Sequence, residues 1–432
     1  MAIDPPTINQ PASKLRVLHR WRCSLTLGVV ACLKREPLEF RRVEVFKTTL
    51  DNRTVQIPGV DNNDRPTTKP LGTYWLKHRD RKTYGNVGIW PPPSVAPPGA
   101  LNTWRGFAVR PKQGTWTLLR RHIVDVIAAG DPAIGEYILR WIAWMFQHPG
   151  ERAEATIALR GTEGVGKGML GNALAEIIGT HAVHVTNPAH FVGSKFNLHM
   201  AECIFLFADE CYWAGDKSHE GTLKGMITER TIRVEPKNIN SYAVDNLLHI
   251  LVSSNNEWVV PVGADARRFV ISNVSDVRRG DKNYFKALKA EMGNGGLGAM
   301  LFDLLAEDLG DWHPRDIVES EALNEQKGHT LKPEAEWALQ IVRDAEMPRD
   351  GIQLTKTPGR WVSSDALMSD AGRSVPIKWG SKRLGTAMRM LGAVQHTDQN
   401  RRGWTLPTLA DARAAWVAAN YRVTWDDAAD WT

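Results

Sequence analysis

The sequence predicts an α/β protein built on a largely parallel sheet, and three observations predict it. Between residues 155 and 280, short apolar runs rich in β-branched residues alternate with helix-like stretches, the pattern of strands joined by crossover helices. One junction, ATIALRGTEGVGKGML, reads as a strand, a glycine-rich turn and the start of a helix. Two further apolar strands end in polar residues: IFLFADE in Asp209 and Glu210, and LLHILVSSN in Asn255.

The elements follow in chain order. MAIDPPTINQPA is proline-rich and expected to be mobile. Residues 13–50 are basic and strand-like in places. Residues 56–70 (QIPGVDNNDRPTTKP) have the composition of a linker, which makes 1–70 a basic, partly flexible N-terminal region. TYWLKHRDRKTYG is short, aromatic and basic, and IWPPPSVAPPGA (89–100) cannot be helix interior. TLLRRHIVDVIAAG and PAIGEYILRWIAWMFQ carry apolar residues at helical spacing, so Ile138, Trp141, Ile142 and Met145 share one face, as helix packing requires. Residues 71–150 are therefore an aromatic and basic segment leading into a helical, collar-like region. Residues 151–345 hold the α/β block and then helices broken by a glycine-rich turn at MGNGGLG. Residues 346–432 form a small mixed domain: VSSDALMSDAG, a helix-like SKRLGTAMRMLG, a turn and strand in RRGWTLP, and a last helix in LADARAAWVAANY.

At 432 residues with 43% apolar content, the chain is globular and long enough for two or three domains. Its formal charge of +6 and pI of about 9.1 favour a polyanionic partner, though modestly. Cys23, Cys32, Cys203 and Cys211 form no C-x-x-C pair, so they read as reduced thiols with no zinc site and no disulfide frame. The apolar run SLTLGVVACL (24–33) is too short to span a bilayer, and no cleavage pattern follows Lys34 and Arg35. A cytoplasmic protein with no membrane partner is expected.

The glycine-rich turn fits G-x-x-x-x-G-K, in which backbone N–H groups and the helix start cradle phosphate oxygens. Gly161, Thr162, Glu163, Gly164, Val165, Gly166, Lys167, Gly168 and Met169 make up this candidate phosphate loop, and Lys167 would neutralise the β- and γ-phosphates. Gly168 stands where a Ser or Thr hydroxyl usually holds magnesium, so Mg²⁺ falls to Asp209 and water. A chance turn, or a loop that no longer hydrolyses, is the ordinary alternative. Asp209 is the metal residue and Glu210 the base that polarises the attacking water. Asn255 can orient that water or sense the γ-phosphate, although a strand-end Asn is more often a turn former. Between the acids and Asn255, TIRVEPK and VDNLLHILVSSN read as strands flanking a hairpin whose Arg233, Lys237 and Asn238 can touch a phosphate backbone. In GADARRFVI, Arg267 and Arg268 begin another strand. Either can serve a neighbouring subunit's triphosphate as a trans finger, or simply form a surface ion pair.

In this order the set resembles superfamily 3 helicases, AAA+-related ring ATPases of phages, plasmids and viruses. Within them it is most similar to the helicase portion of phage and prophage primase-helicases. NTWRGFAV, WIAWMFQHPGE, GTEGVGKG, FADECYWAGDK, LKGMITE, SNNEWVVP, DARRFVI and NEQKGHTLKPEAEW carry the resemblance across roughly residues 70–345. Loops reading G-K-G are common in that subgroup. The resemblance implies an AAA+-like P-loop ATPase that uses ATP and Mg²⁺ and assembles as a hexameric ring. It would move on single-stranded or forked DNA during replication, with Lys237 and its neighbours in the channel and a separate primase or replication initiator as partner. No acidic pair or Cys/His zinc set precedes the helical block, so no primase activity is expected. The C-terminal domain reads as a winged helix with Lys382, Arg383, Arg401 and Arg402 on DNA, or as a docking domain with a solvated basic face. The rival reading for the whole chain is a nucleotide-controlled DNA-binding or assembly module that binds ATP without unwinding.

Overall fold

The computed structural model describes residues 21–24, 29–32, 39–60, 62, 65–186, 197–210, 217–235, 241–257, 259–260, 267–329, 331–346, 348, 361–398, 400–420 and a few positions beyond. The proline-rich first dozen residues, Cys211, Lys237 and Asn238 lie outside them.

The N-terminal part has its own small core. Strands β1 (Trp21–Ser24), β2 (Val29–Cys32) and β3 (Glu39–Arg42) form an antiparallel meander, followed by α1 (Val43–Thr49). Then come β4 (Thr54–Val60), β5 (Pro66–Pro70), α2 (Leu71–Lys77) and β6 (Thr83–Tyr84), which pairs in parallel with β1. Cys23, Val30, Phe46, Leu50, Val55, Leu71 and Trp75 bury each other, with Phe46 and Trp75 tilted at 5.2 Å between ring centroids. The linker expected over 56–70 is instead two arms of a hairpin, β4 against β5. Val55 alternates into the core and holds the arms down. The proline-rich stretch is a loop between β7 (Asn86–Gly88) and β8 (Ala100–Asn102).

Next come α3 (Thr117–Arg121), a π-helical turn (His122–Ile127) and α4 (Pro132–Gln147). Asp131 caps α4 by accepting from the Ala133 and Ile134 N–H groups, and Pro132 fits the first turn. Ile138, Trp141, Ile142 and Met145 are all fully buried.

Strand β9 (Thr156–Arg160) then opens the central sheet. It is followed by α5 (Lys167–Ile178), β10 (Ala182–Val185), β11 (Phe205–Ala208), α6 (Lys217–Thr228), the hairpin β12 (Thr231–Val234) and β13 (Tyr242–Asp245), β14 (His249–Ser254) and β15 (Phe269–Asn273). The sheet order is β10-β11-β14-β9-β15, every pair parallel. Helices α7 (Lys282–Glu291) and α8 (Leu297–Leu305) flank the glycine-rich turn, where Gly295 has φ +98°. Both faces of the sheet are covered, so its strands read as unbroken apolar runs. Ile157, Leu159, Phe205, Phe207 and Val270 face α4, α5 and α8, whereas Ala158, Leu206, Ile250, Val252 and Ile271 face α6 and α9 (Glu321–His329).

Two boundaries move. Helix α4 shares one core with the sheet and α5, so no core boundary falls at 150. Helix α10 (Pro333–Asp344) packs with the C-terminal elements β16 (Trp361–Ser363), α11 (Ser364–Ser374), α12 (Ser381–Met390), β17 (Val394–Asp398), β18 (Arg401–Thr405) and α13 (Leu409–Ala419), not with the sheet. Trp337 of α10 is fully buried there and donates through Nε1 to Asp370 at 3.0 Å. Among the described residues no helix is long and apolar enough to cross a membrane.

His249, at the start of β14, is fully buried. Its Nδ1 faces the carbonyls of Leu247 (3.1 Å) and Ile204 (3.3 Å), and Nε2 has no hydrogen-bond partner. Nδ1 therefore carries the proton, and charging the ring would place a cation beside Trp141. Burial holds its pKa down at about 4, below the ordinary 6.5. The stability this confers is complete above pH 6.5 and is lost as the pH falls from there to about 4, on the order of 3 kcal/mol in all. Denaturant unfolding at pH 7 and pH 4 should therefore show a His249→Leu variant losing less stability than the parent, by about that amount. Parallel losses would refute the assignment.

Candidate nucleotide and acid site

The C-terminal ends of β9, β14 and β11 bring the candidate residues together. The loop 161–166 leaves β9 and enters α5 at Lys167, so the first N–H groups of α5 point into the loop. Gly166 requires glycine twice over: φ is +102°, and a Cβ there would meet His122 Cε1 at 2.6 Å and Phe285 Cε1 at 2.8 Å.

Asp209 and Glu210 follow β11, which is not a sheet neighbour of β9. Strand β14 lies between them. That insertion places Asn255 between the loop and the acids. Lys167 Nζ donates to Asn255 Oδ1 at 2.6 Å and to the carbonyls of Gly161 (2.6 Å) and Thr162 (2.9 Å). Asn255 Nδ2 donates to both Glu210 carboxylate oxygens at 2.9 Å. A cation on one side and an anion on the other fix the amide's orientation. Burial lowers the pKa of Lys167, and Glu210, Asp209 and Glu163 oppose that shift. Glu210 has a left-handed backbone with φ +55°, an uncommon conformation for a residue with a side chain and one that concentrates at functional sites.

Asp209 Oδ1 accepts from Ser253 Oγ at 2.5 Å. Its Oδ2 lies 3.9 Å from where a Cβ on Gly168 would sit and 3.6 Å from His184 Nε2. Asp209 thus keeps one oxygen turned toward the loop, which suits a hydrated cation bridged to phosphate. Among the described residues no group of three His, Cys, Asp or Glu could hold a metal by itself.

Several residues here carried no sequence signal. Ser253 and His184 lie within strands and match no motif. His122 is fully buried in the π-helical turn, a distortion that recurs at functional sites. Its Nε2 donates to the Gly166 carbonyl at 3.1 Å and its Nδ1 accepts from Tyr284 at 3.0 Å, which ties the loop to α7. Burial lowers its pKa, and the neutral ring suits this pair of bonds. Arg160, at the end of β9, bonds Asn273 at 2.7 Å and pairs with Glu325 of α9. The next residue of α9, Gln326, accepts from the Val259 N–H at 2.7 Å and donates to the Glu257 carbonyl, so α9 grips the segment just after Asn255.

The remaining candidates lie apart. Arg267 and Arg268 precede β15, and the Arg268 carbonyl accepts from Thr156 at the start of β9. The loop leaves the other end of β9, so the pair is displaced from it by roughly 15 Å of strand. The strand expected to run unbroken to Asn255 is interrupted at Asn246. This buried side chain donates to the Met226 and Glu229 carbonyls and accepts from the Leu248 N–H, which turns the chain from the hairpin into the sheet. Arg233 lies on β12, where its guanidinium donates to Ser241 Oγ across the hairpin at 2.7 and 3.0 Å. Cys23 and Cys203 are buried free thiols, and burial pushes the Cys203 thiol far above its ordinary pKa.

All the residues proposed to act on nucleotide fall inside one matched segment. Residues 159–268 match a family described as "Family of unknown function (DUF5906)". A DNA primase-polymerase of Nitratiruptor phage NrS-1 is 23% identical over 172 residues, which are 39% of this chain and 24% of that protein, so the match spans about a quarter of the relative's length. The solved apo structure of the NrS-1 C-terminal region superposes with a TM-score of 0.68 at 15% identity, covering 91% of this chain and 98% of that one. An A-form apo structure of the same region gives 0.67 at 14% identity. The chain thus shares the mixed α/β fold of that region.

Proposed function

We propose that this protein is an ATP-driven DNA translocase of superfamily 3 type, an AAA+-like P-loop ATPase acting in phage or mobile-element replication in the host cytoplasm. The observation that carries the reading is the continuous bridge Lys167–Asn255–Glu210 at the ends of three parallel strands. It couples a loop suited to phosphate with an acid suited to activating water, and the likeness to a phage DNA primase-polymerase supports a replication role.

In this reading residues 161–169 hold the ATP phosphates, and Lys167 exchanges its loop carbonyls for phosphate oxygens. Glu210 polarises the attacking water, and Asn255 ties its orientation to the position of Lys167. Magnesium, held through Asp209 with no hydroxyl from Gly168, neutralises phosphate charge when bound. Subunits assemble as a ring in which Arg267 or Arg268 reaches the neighbouring triphosphate. The hairpin carrying Arg233, Lys237 and Asn238 tracks a single strand through backbone contacts. A separate primase or initiator supplies the partner activity.

Steady-state ATP hydrolysis with magnesium, with and without single-stranded DNA, tests this. DNA should stimulate hydrolysis several-fold, and Glu210→Gln should lower it at least a hundredfold, about 2.7 kcal/mol of barrier, while ATP still binds. Tight ATP binding without turnover in the parent protein would favour a nucleotide-controlled DNA-binding module. The missing hydroxyl at Gly168 is the observation that speaks for that second reading.

A further inference from the structure

The C-terminal elements run α10, β16, α11, α12, β17, β18, with an antiparallel sheet ordered β16-β18-β17. This is the topology of a winged helix, in which α12 is the third helix and the β17–β18 hairpin is the wing. The charge distribution follows that plan. From residue 375 to 410 the sequence holds Lys378, Lys382, Arg383, Arg389, Arg401 and Arg402 against one carboxylate, Asp398, which is buried. Fewer than a tenth of the residues thus carry most of the chain's +6.

The side chains are sorted as a nucleic-acid reader requires. Leu384, Ala387 and Met388 turn α12 onto the sheet, and Gly385 lies against Trp404. The opposite stripe of α12 holds Lys382, Arg383 and Arg389, all exposed, with no acid among them. Asp398 pairs with Arg401, so the wing closes tightly, Asn400 takes φ +63°, and Arg401 and Arg402 stand exposed at its end.

We infer that this unit binds duplex DNA, with α12 entering the major groove and Arg401 and Arg402 on the adjacent backbone. Three physical points select the ligand. A B-form major groove, about 12 Å wide, admits an α-helix, whereas the deep, narrow major groove of A-form RNA does not. Single strands need exposed aromatic platforms, but Trp361, Trp404 and Trp416 are buried, and Trp379, just before α12, is half-buried with its ring edge-on against Trp337. A basic stripe free of acids suits a phosphate lattice. The site is separate from the ATP site and from the channel hairpin, so the chain would hold the duplex arm of a fork independently of nucleotide.

The test is fluorescence anisotropy on the full chain without nucleotide, across a salt series. The probes are a 20-base-pair DNA duplex, one of its strands, and an RNA duplex of equal length. The parent should prefer the DNA duplex to the RNA duplex. The combined variant Lys382→Ala, Arg383→Ala, Arg401→Ala and Arg402→Ala should bind the DNA duplex at least tenfold more weakly. Its log–log salt slope should fall by about three to four units, as expected for four lost phosphate contacts. These side chains are exposed, so an unchanged thermal midpoint should accompany the loss. A control variant, Lys282→Ala, Lys286→Ala and Lys289→Ala on α7, should leave duplex binding in place. Undiminished duplex binding by the fourfold variant would overturn the inference. So would an equal loss on the single strand, a preference for RNA, or an equal effect of the α7 control. Because no nucleotide is present, none of these results touches the reading of the ATP site.

Discussion

Replacing Arg267 and Arg268 together with alanine is expected to lower ATP hydrolysis by at least a thousandfold, while ATP affinity changes no more than a few-fold. An arginine that meets the transferring phosphoryl group stabilises charge present only in the transition state, and such fingers are worth roughly 10³ to 10⁵ in rate. Neither arginine can serve the loop of its own chain, because both lie at the opposite end of β9 from residues 161–166. In the proposed reading the effect therefore acts across a subunit boundary. Titrating the double variant into parent protein measures this: poisoned mixed assemblies should lose more activity than dilution predicts. Activity that falls only in proportion to the parent fraction would remove the trans role, and with it the main reason for a ring.

Lys167→Ala is expected to abolish turnover, with a loss of at least a thousandfold, about 4 kcal/mol of barrier. The ammonium touches the loop carbonyls of Gly161 and Thr162 and the Asn255 side chain at once. Its removal leaves the phosphates without their counter-charge and also frees Asn255, so Glu210 loses the partner whose orientation depends on that cation. Nucleotide binding should weaken as well, unlike in the arginine variant. The protein should remain folded, since Lys167 sits at the carboxyl ends of the strands, where its ammonium bonds polar groups and not the apolar core. Unchanged turnover in a folded Lys167→Ala protein would sink the phosphate-loop assignment.

The core of the α/β unit was legible because its strands are buried on both faces. Runs such as TIALR, IFLF and HILVSS are mostly apolar and almost wholly buried, and each ends abruptly at the carboxyl end of the sheet. The N-terminal region was less legible. Strands β4 and β5 pair through backbone bonds with Val55 turned inward, so turn composition outweighed the faint alternation and suggested a linker. The C-terminal helices and wing were readable singly, but the membership of α10 was not, because a helical stripe does not say which core it will meet.

The sequence by itself determined the strand–loop–helix around Lys167, the two acids and Asn255 at strand ends, the helix with Trp141 on its buried face, and the concentration of positive charge after residue 375. Each of these is local: a period, a turn residue or a charge count within a dozen positions. Only the tertiary structure decided that β14 enters between β9 and β11. That order makes Asn255 the bridge between Lys167 and Glu210 and sends the arginines to the far edge. It also brought His122 and Tyr284, 162 positions apart in the chain, to the underside of the loop, a contact set by helix packing on the sheet face. Sheet order and long-range packing depend on which apolar faces bury each other best, and no pattern within a single segment contains that choice.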